Sequence, residues 1–189
     1  MNQAEIRAFF EKTRAILSGH FILTSGRHSD TYIQCALVLQ FPECAARLGS
    51  ALAARFKGAE MECVVGPALG GIIVAHEVAR ALGVRAVFTE RVDGAMRLRR
   101  GFYVAPGEKV LVVEDVVTTG GSVKEAAKAV EDLGARITGF GALIDRSGGK
   151  VSFPAHFNTL FEVDAQAWDP ADCPLCGKGI PAIKPGSRK

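Results

Sequence analysis

The chain has no apolar run of membrane-spanning length. Stretches such as Val110–Val113 stop at carboxylates, far short of the roughly 20 residues a transmembrane helix needs. Its start, Met1-Asn2-Gln3-Ala4-Glu5, has neither a basic opening nor an apolar stretch, so no secretory leader is expected. Five cysteines form no spaced framework and their number is odd, which argues against a disulfide scaffold and for a reduced, cytoplasmic setting. The formal net charge is only +3, and no Lys/Arg-rich tract is interleaved with aromatics, so a nucleic-acid partner is not expected. Internal repeats and low-complexity segments are also missing.

What remains is an ordinary globular composition, 48% hydrophobic and 23% charged over 189 residues, long enough for one domain with one substantial core. Ile6, Phe9, Phe10, Ile16 and Leu17 recur at helical spacing behind an Asn2/Glu5 capping pair, with Gly19 as the expected stop. A second helix is expected from Pro42 to about Phe56. Short apolar strands then alternate with helices. The strands are Cys63–Gly66, Ala86–Phe88, Val110–Val113, Ile137–Ile144 and Thr159–Val163, and the helices run to Leu82 and from Ser122 to Leu133. That rhythm predicts an α/β fold, a central and mostly parallel sheet flanked by helices. Gly19 to Val38 and Glu90 to Gly107 break it as long connections of the kind that carry function. Lys178–Lys189, rich in Pro, Gly and Lys, reads as an exposed tail.

The segment from Val110 to Ser122 is the most informative. A buried strand runs into Glu114-Asp115, then Val116-Val117-Thr118-Thr119-Gly120-Gly121-Ser122, then a helix. In open α/β sheets ligands bind beyond the carboxyl ends of the strands. Free loop amides at a helix N-terminus suit a phosphate, and the Thr and Ser hydroxyls add donors. No lysine follows the glycines, so this is not a nucleoside-triphosphate loop. The acids accept hydrogen bonds from neutral hydroxyls, so the pair with the loop suits a ribose 5-phosphate. Because adjacent strand residues face opposite ways, both acids can serve one ligand only if the strand ends there. The bland alternative is a capped strand-to-helix turn.

Residues Glu114–Ser122 resemble the phosphoribosyl pyrophosphate motif of type I phosphoribosyltransferases. Gly19–Tyr32 is similar to the N-terminal hood of the orotate phosphoribosyltransferase family, and Leu143–Gly149 to the strand end where that family places an orotate-binding arginine. The resemblance implies a type I phosphoribosyltransferase fold as a single domain over residues 1–189, with a hood at 1–40, an α/β core at 41–165 and a C-terminal tail at 166–189. It implies transfer of ribose 5-phosphate from phosphoribosyl pyrophosphate to orotate in a homodimer. Mg²⁺ would arrive with the sugar donor rather than in a protein cage. Arg146 and Thr118 would bind orotate, with Tyr32 and Ile33 lining the ring pocket. The chemistry agrees, since a guanidinium fork matches a carboxylate and a purine offers none. Ala68, Leu69 and Gly70, in the glycine loop Gly66–Gly71, would hold pyrophosphate through backbone amides. Arg91, Arg97, Arg99 and Arg100 occupy the place of the family's mobile catalytic loop and suit an anionic leaving group, against the plainer reading of a solvated hairpin.

The sequence also departs from the family. Thr24 stands where better-known members carry lysine, as do Leu69 or Gly70 in the pyrophosphate loop, and the arginine segment is shorter and lacks lysines and histidine. His28 is read as an exposed loop histidine rather than a replacement. A purine phosphoribosyltransferase and a non-catalytic sensor of phosphoribosyl pyrophosphate stay open as alternatives. Cys173 and Cys176 have half the spacing of a zinc site, but Cys35, Cys44 and Cys63 offer no second pair, so a tight reduced turn is expected there.

Overall fold

The computed structural model describes residues 1–23 and 25–185; Thr24 and the end of the expected tail lie outside the described residues. Helix α1 spans Gln3–Lys12 and opens with the expected reciprocal cap: Asn2 Oδ1 accepts from the Glu5 amide at 2.9 Å, and Glu5 Oε2 accepts from the Asn2 amide at 2.8 Å. The helix does not reach Leu17. Arg14 adopts φ 56°, its amide bonds Glu11 O at 3.0 Å, and the Ala15 amide bonds Phe10 O at 2.7 Å. This is a Schellman stop made without glycine. Ile16 and Leu17 therefore begin strand β1 (Ile16–Ile22), and Gly19 lies inside that strand rather than ending a helix.

Strand β1 pairs antiparallel with β2 (His28–Ile33), so Gly19–Val38 is a hairpin followed by the short helix α2 (Ala36–Leu39), not an irregular connection. Helix α3 (Pro42–Ala53) starts on its proline and ends in a 3₁₀ turn at Ala54–Phe56. Strand β3 (Cys63–Pro67), helix α4 (Gly70–Leu82) and β4 (Arg85–Val92) follow, with Gly83 left-handed at the helix end. Strand β5 (Ala95–Leu98) then pairs antiparallel with β4 through a turn in which Asp93 and Gly94 both have positive φ. The arginine-bearing connection is thus a hairpin in its first half. Strand β6 (Lys109–Val117), helix α5 (Gly121–Glu131), β7 (Arg136–Asp145) and β8 (Phe157–Glu162) complete the core. Strand β9 (Ala167–Trp168) and helix α6 (Pro174–Gly177) close the described chain.

The large sheet has the order β5-β4-β3-β6-β7-β8, parallel except for β5. Period-two alternation on its central strands feeds two cores. Val64, Leu111 and Val113 pack with α1, α3 and α4, while Val65, Val110 and Val112 pack with Val123, Ala126 and Val130 of α5. Central strands covered on both faces must be apolar throughout, which is why they read as continuous hydrophobic runs. A separate small sheet has the order β1-β2-β9. The tail beyond Lys178 is not simply free: Ile183 bridges β1, its amide bonding His20 O and its carbonyl accepting from the Ile22 amide, both at 2.8 Å. No helix among the described residues is long and apolar enough to cross a membrane.

Candidate functional site

From β3 the chain steps one way to β4, whereas β6 lies on the other side and leads to β7 and β8. The strand order reverses between β3 and β6, and a crevice opens beyond their carboxyl ends. Glu114 and Asp115 stand there. Strand β6 continues through Val117 instead of stopping at the acids, yet both carboxylates meet the same loop. A Cβ on Gly70 would lie 2.5 Å from Asp115 Oδ2, and one on Gly71 would lie 3.1 Å from Glu114 Oε1. Glycine at 70 is what admits Asp115 so close to the start of α4.

Glu114 is 8% exposed. Burial and the neighbouring Asp115 charge push its carboxyl well above the usual carboxylate range. Asp115 is raised as well, chiefly by burial, against hydrogen bonds from Glu114 and the backbone. Burial and mutual repulsion thus oppose simultaneous ionisation of the two carboxyls.

Past Val117 the chain makes the hydroxyl and glycine turn and enters α5. Glu114 and residues 116–123 enclose a cavity of about 140 Å³, rimmed by the amides that open α5. That is a phosphate-sized cradle at the positive end of a helix. Gly120 has φ 73°, and a Cβ there would come 2.8 Å from Val151 Cγ1. Gly120→Ala is expected to cost about 1–2 kcal/mol of stability from the left-handed backbone alone. It should also weaken binding of inorganic phosphate; a thermal melt and a phosphate titration that both match the parent would contradict this account of the turn.

A larger cleft of about 730 Å³ adjoins the cradle, and Thr118 and Thr119 line both. Its walls include Arg146, Ser147 and Lys150 after β7, Arg27 after β1, and residues 163–168. The Arg146 amide donates to Val117 O at 2.7 Å, which fixes the end of β7 against the end of β6. Its guanidinium is half-buried; Nη2 donates to Ser29 Oγ at 3.2 Å. Burial pulls the guanidinium's proton affinity down, with Asp30 opposing, but an arginine stays charged. Beside it, Ser147 Oγ is buried with no hydrogen-bond partner among the described residues. A half-buried cation and an unsatisfied hydroxyl on one wall suit an anionic, hydrogen-bonding ligand.

The structure brings together Glu114, Asp115, Val116–Ser122, Arg146 and, beside Asp115, Gly70; Leu69 is 84% exposed, and the Ala68 amide, expected to be free for pyrophosphate, instead donates to Thr89 O at 2.7 Å. It does not bring Tyr32 and Ile33 to the cleft wall. Tyr32 lies against Phe21 with ring centroids 5.7 Å apart, and Ile33 packs on the core. Alternation turns Tyr32 to the face opposite Ser29, whereas Ile33 shares the Ser29 face but lies four residues further along β2, against the core, while Ser29 touches Arg146. Nor do Arg91, Arg97, Arg99 and Arg100 line either cavity. Arg91 pairs with Glu125 at 2.5 Å, Arg100 pairs with Glu90 at 2.7 Å, and Arg97 and Arg99 are exposed. His28 is not an exposed loop residue: it sits on β2 and is 8% exposed. Sequence reasoning missed Ser29, Ser147 and Lys150. Their one signal was proximity to Arg146 in the chain or to the hood segment.

Residues 38–174 match the family profile of the phosphoribosyl transferase domain. The chain is 57% identical over 189 residues to an orotate phosphoribosyltransferase from Pelotomaculum thermopropionicum, covering all of both chains. It is 55% identical over 183 residues to the enzyme of that name from Thermotoga maritima, covering 97% of this chain and 98% of that one. Among solved structures it superposes on the orotate phosphoribosyltransferase of Aeropyrum pernix with a TM-score of 0.72 at 23% identity, over 84% of this chain and 93% of the other. The Mycobacterium tuberculosis enzyme gives 0.70 at 24%, over 85% and 95%. These two likenesses establish the fold.

Proposed function

The chain belongs to the orotate phosphoribosyltransferases, and we propose from that premise how its crevice moves ribose 5-phosphate from phosphoribosyl pyrophosphate to orotate. The 5-phosphate sits in the cradle of residues 117–122, held by turn amides and by Thr118, Thr119 and Ser122 hydroxyls. The ribose hydroxyls donate to Glu114 and Asp115. Donor binding therefore favours ionisation of a pair that otherwise keeps a proton. Pyrophosphate lies at the Leu69–Gly70 end of the loop before α4, since the Ala68 amide is already bonded to Thr89 O. Orotate enters the larger cleft, its carboxylate on Arg146 and its ring near Thr118. The observation that carries this reading is the shared wall of Thr118 and Thr119, which puts a phosphate cradle and a half-buried guanidinium on either side of one turn.

The donor set fits magnesium held mainly by the sugar donor: two acids stand at the crevice, and among the described residues no three metal-ligating side chains converge there. When bound, the ion neutralises charge growing on the departing pyrophosphate. The chain's own task is to hold the two substrates in line and to exclude water from a cationic anomeric carbon. No side-chain nucleophile is needed. Arg91, Arg97, Arg99 and Arg100 are exposed and line neither cavity of this chain, which is compatible with a homodimer in which the hairpin of one subunit serves the other's leaving group.

The test offers the protein Mg²⁺ and phosphoribosyl pyrophosphate with orotate, hypoxanthine or adenine in turn, following base loss and pyrophosphate release. Orotate alone is expected to be consumed. Purine turnover would mean a purine enzyme, and no turnover of any base a sensor; either would end the reading.

A further inference from the structure

The sequence offers one pair of metal-ligating cysteines and no second, but the fold supplies the second from histidines far away in the chain. His20 of β1 and His28 of β2 point into the turn that carries Cys173 and Cys176. The ligand atoms of these four side chains all lie within 4.8 Å of one another. Cys173 Sγ is 3.4 Å and Cys176 Sγ 3.8 Å from His20 Nε2, Cys176 Sγ is 3.3 Å from His28 Nδ1, and the two ring nitrogens are 2.8 Å apart. Three of the four residues are buried.

We propose that His20, His28, Cys173 and Cys176 form a structural site for a tetrahedral, zinc-type divalent cation. Bonds of about 2.3 Å to sulfur and about 2.0–2.1 Å to nitrogen place tetrahedral neighbours about 3.3–3.8 Å apart. The sulfur–nitrogen distances of 3.3, 3.4 and 3.8 Å fall in that range. The ring nitrogens at 2.8 Å need part by only about half an ångström to admit the ion. Two thiolates balance the ion's charge, so the centre can sit in a dry place. The orientation of His20 is set from outside the cluster: its Nδ1 lies 2.7 Å from Ile180 O and donates there, which leaves the Nε2 lone pair facing the other three ligands. Mixed sulfur and nitrogen donors in a closed set of four select zinc over magnesium or calcium. The ion ties the C-terminal turn to the hood hairpin. His28 adjoins Ser29, whose hydroxyl meets Arg146, so the staple also holds the strand behind the base-binding wall. The rival is a metal-free cluster, with a proton shared between the rings and two free thiols.

The experiment measures metal content of the purified full-length chain by plasma mass spectrometry, then replaces the bound metal with Co²⁺. The expected result is one zinc per chain, and visible cobalt bands of tetrahedral form with thiolate-to-cobalt charge transfer. Cys176→Ser, at the exposed ligand, and His20→Asn should each lose the stoichiometric metal, and chelation should lower the melting temperature of the parent. The cobalt spectrum of the parent decides the matter even if a variant does not fold. Metal-free protein whose melting temperature ignores both chelator and added zinc overturns the proposal. So does stoichiometric zinc that persists in both variants.

Discussion

Replacing Arg146 with alanine is expected to lower kcat/KM for orotate by at least roughly 30-fold, the equivalent of about 2 kcal/mol, a cost typical of removing one partner from a buried, hydrogen-bonded charge pair. The loss should fall on orotate binding. Arg146 touches the larger cleft and Ser29, whereas the phosphate cradle is bounded by Glu114 and residues 116–123. Lysine restores charge without the planar fork and should recover only part of the loss. Steady-state kinetics with each substrate varied in turn give the answer. Equal rises in the two KM values would refute the assignment of Arg146 to the base.

Glu114→Gln should act in two opposite directions. In the folded chain the Glu114 carboxyl keeps its proton to a higher pH than in the unfolded chain, because burial and Asp115 oppose its charge. The folded state therefore binds more protons above the ordinary carboxylate range. Stability contributed by the pair is fully present at acid pH and is lost as pH rises toward the raised value. Glutamine cannot ionise, so the variant should melt higher than the parent at alkaline pH and nearly alike at pH 5. A gain of roughly 2–4 °C is expected for each kcal/mol of relief in a chain of this size. Meanwhile the variant loses a charged acceptor for ribose hydroxyls, and affinity for the sugar donor should fall roughly tenfold or more. Melting curves from pH 5 to 9 with a donor titration check both halves. A parent whose stability does not decline across that range would show that the pair carries no trapped proton.

Much of this was legible in the sequence, for a physical reason. The central strands β3, β6 and β7 are covered on both faces, so they appear as unbroken apolar runs, and Gly83 marks a helix end that no other residue occupies as easily. The turn from Glu114 to Ser122 announced its chemistry because acids, hydroxyls and glycines are each needed there. The failures have causes too. Ile16 and Leu17 continue a helical spacing, and the stop at Thr13, Arg14 and Ala15 contains no glycine to betray it. Asp93-Gly94 is a strong hairpin signal, and the solvated hairpin set beside the catalytic-loop expectation is what β4 and β5 form. His20 and Cys173 are 153 positions apart. No local pattern links them; the pairing of β2 with β9, the bridge from Ile183 to β1 and the His20 Nδ1–Ile180 O bond bring that turn onto the hood.

Thr118 and Thr119 form a common partition between two chambers, and a partition of one short turn fixes how far apart their occupants can be. A bisubstrate inhibitor is therefore accessible by linkage: a carboxylated ring joined to a phosphonate through a rigid spacer that passes over the two threonines. Once either end is seated, the other is delivered at high local concentration. The tethered compound should bind far more tightly than its halves, and the optimal spacer would measure the width of the partition in solution.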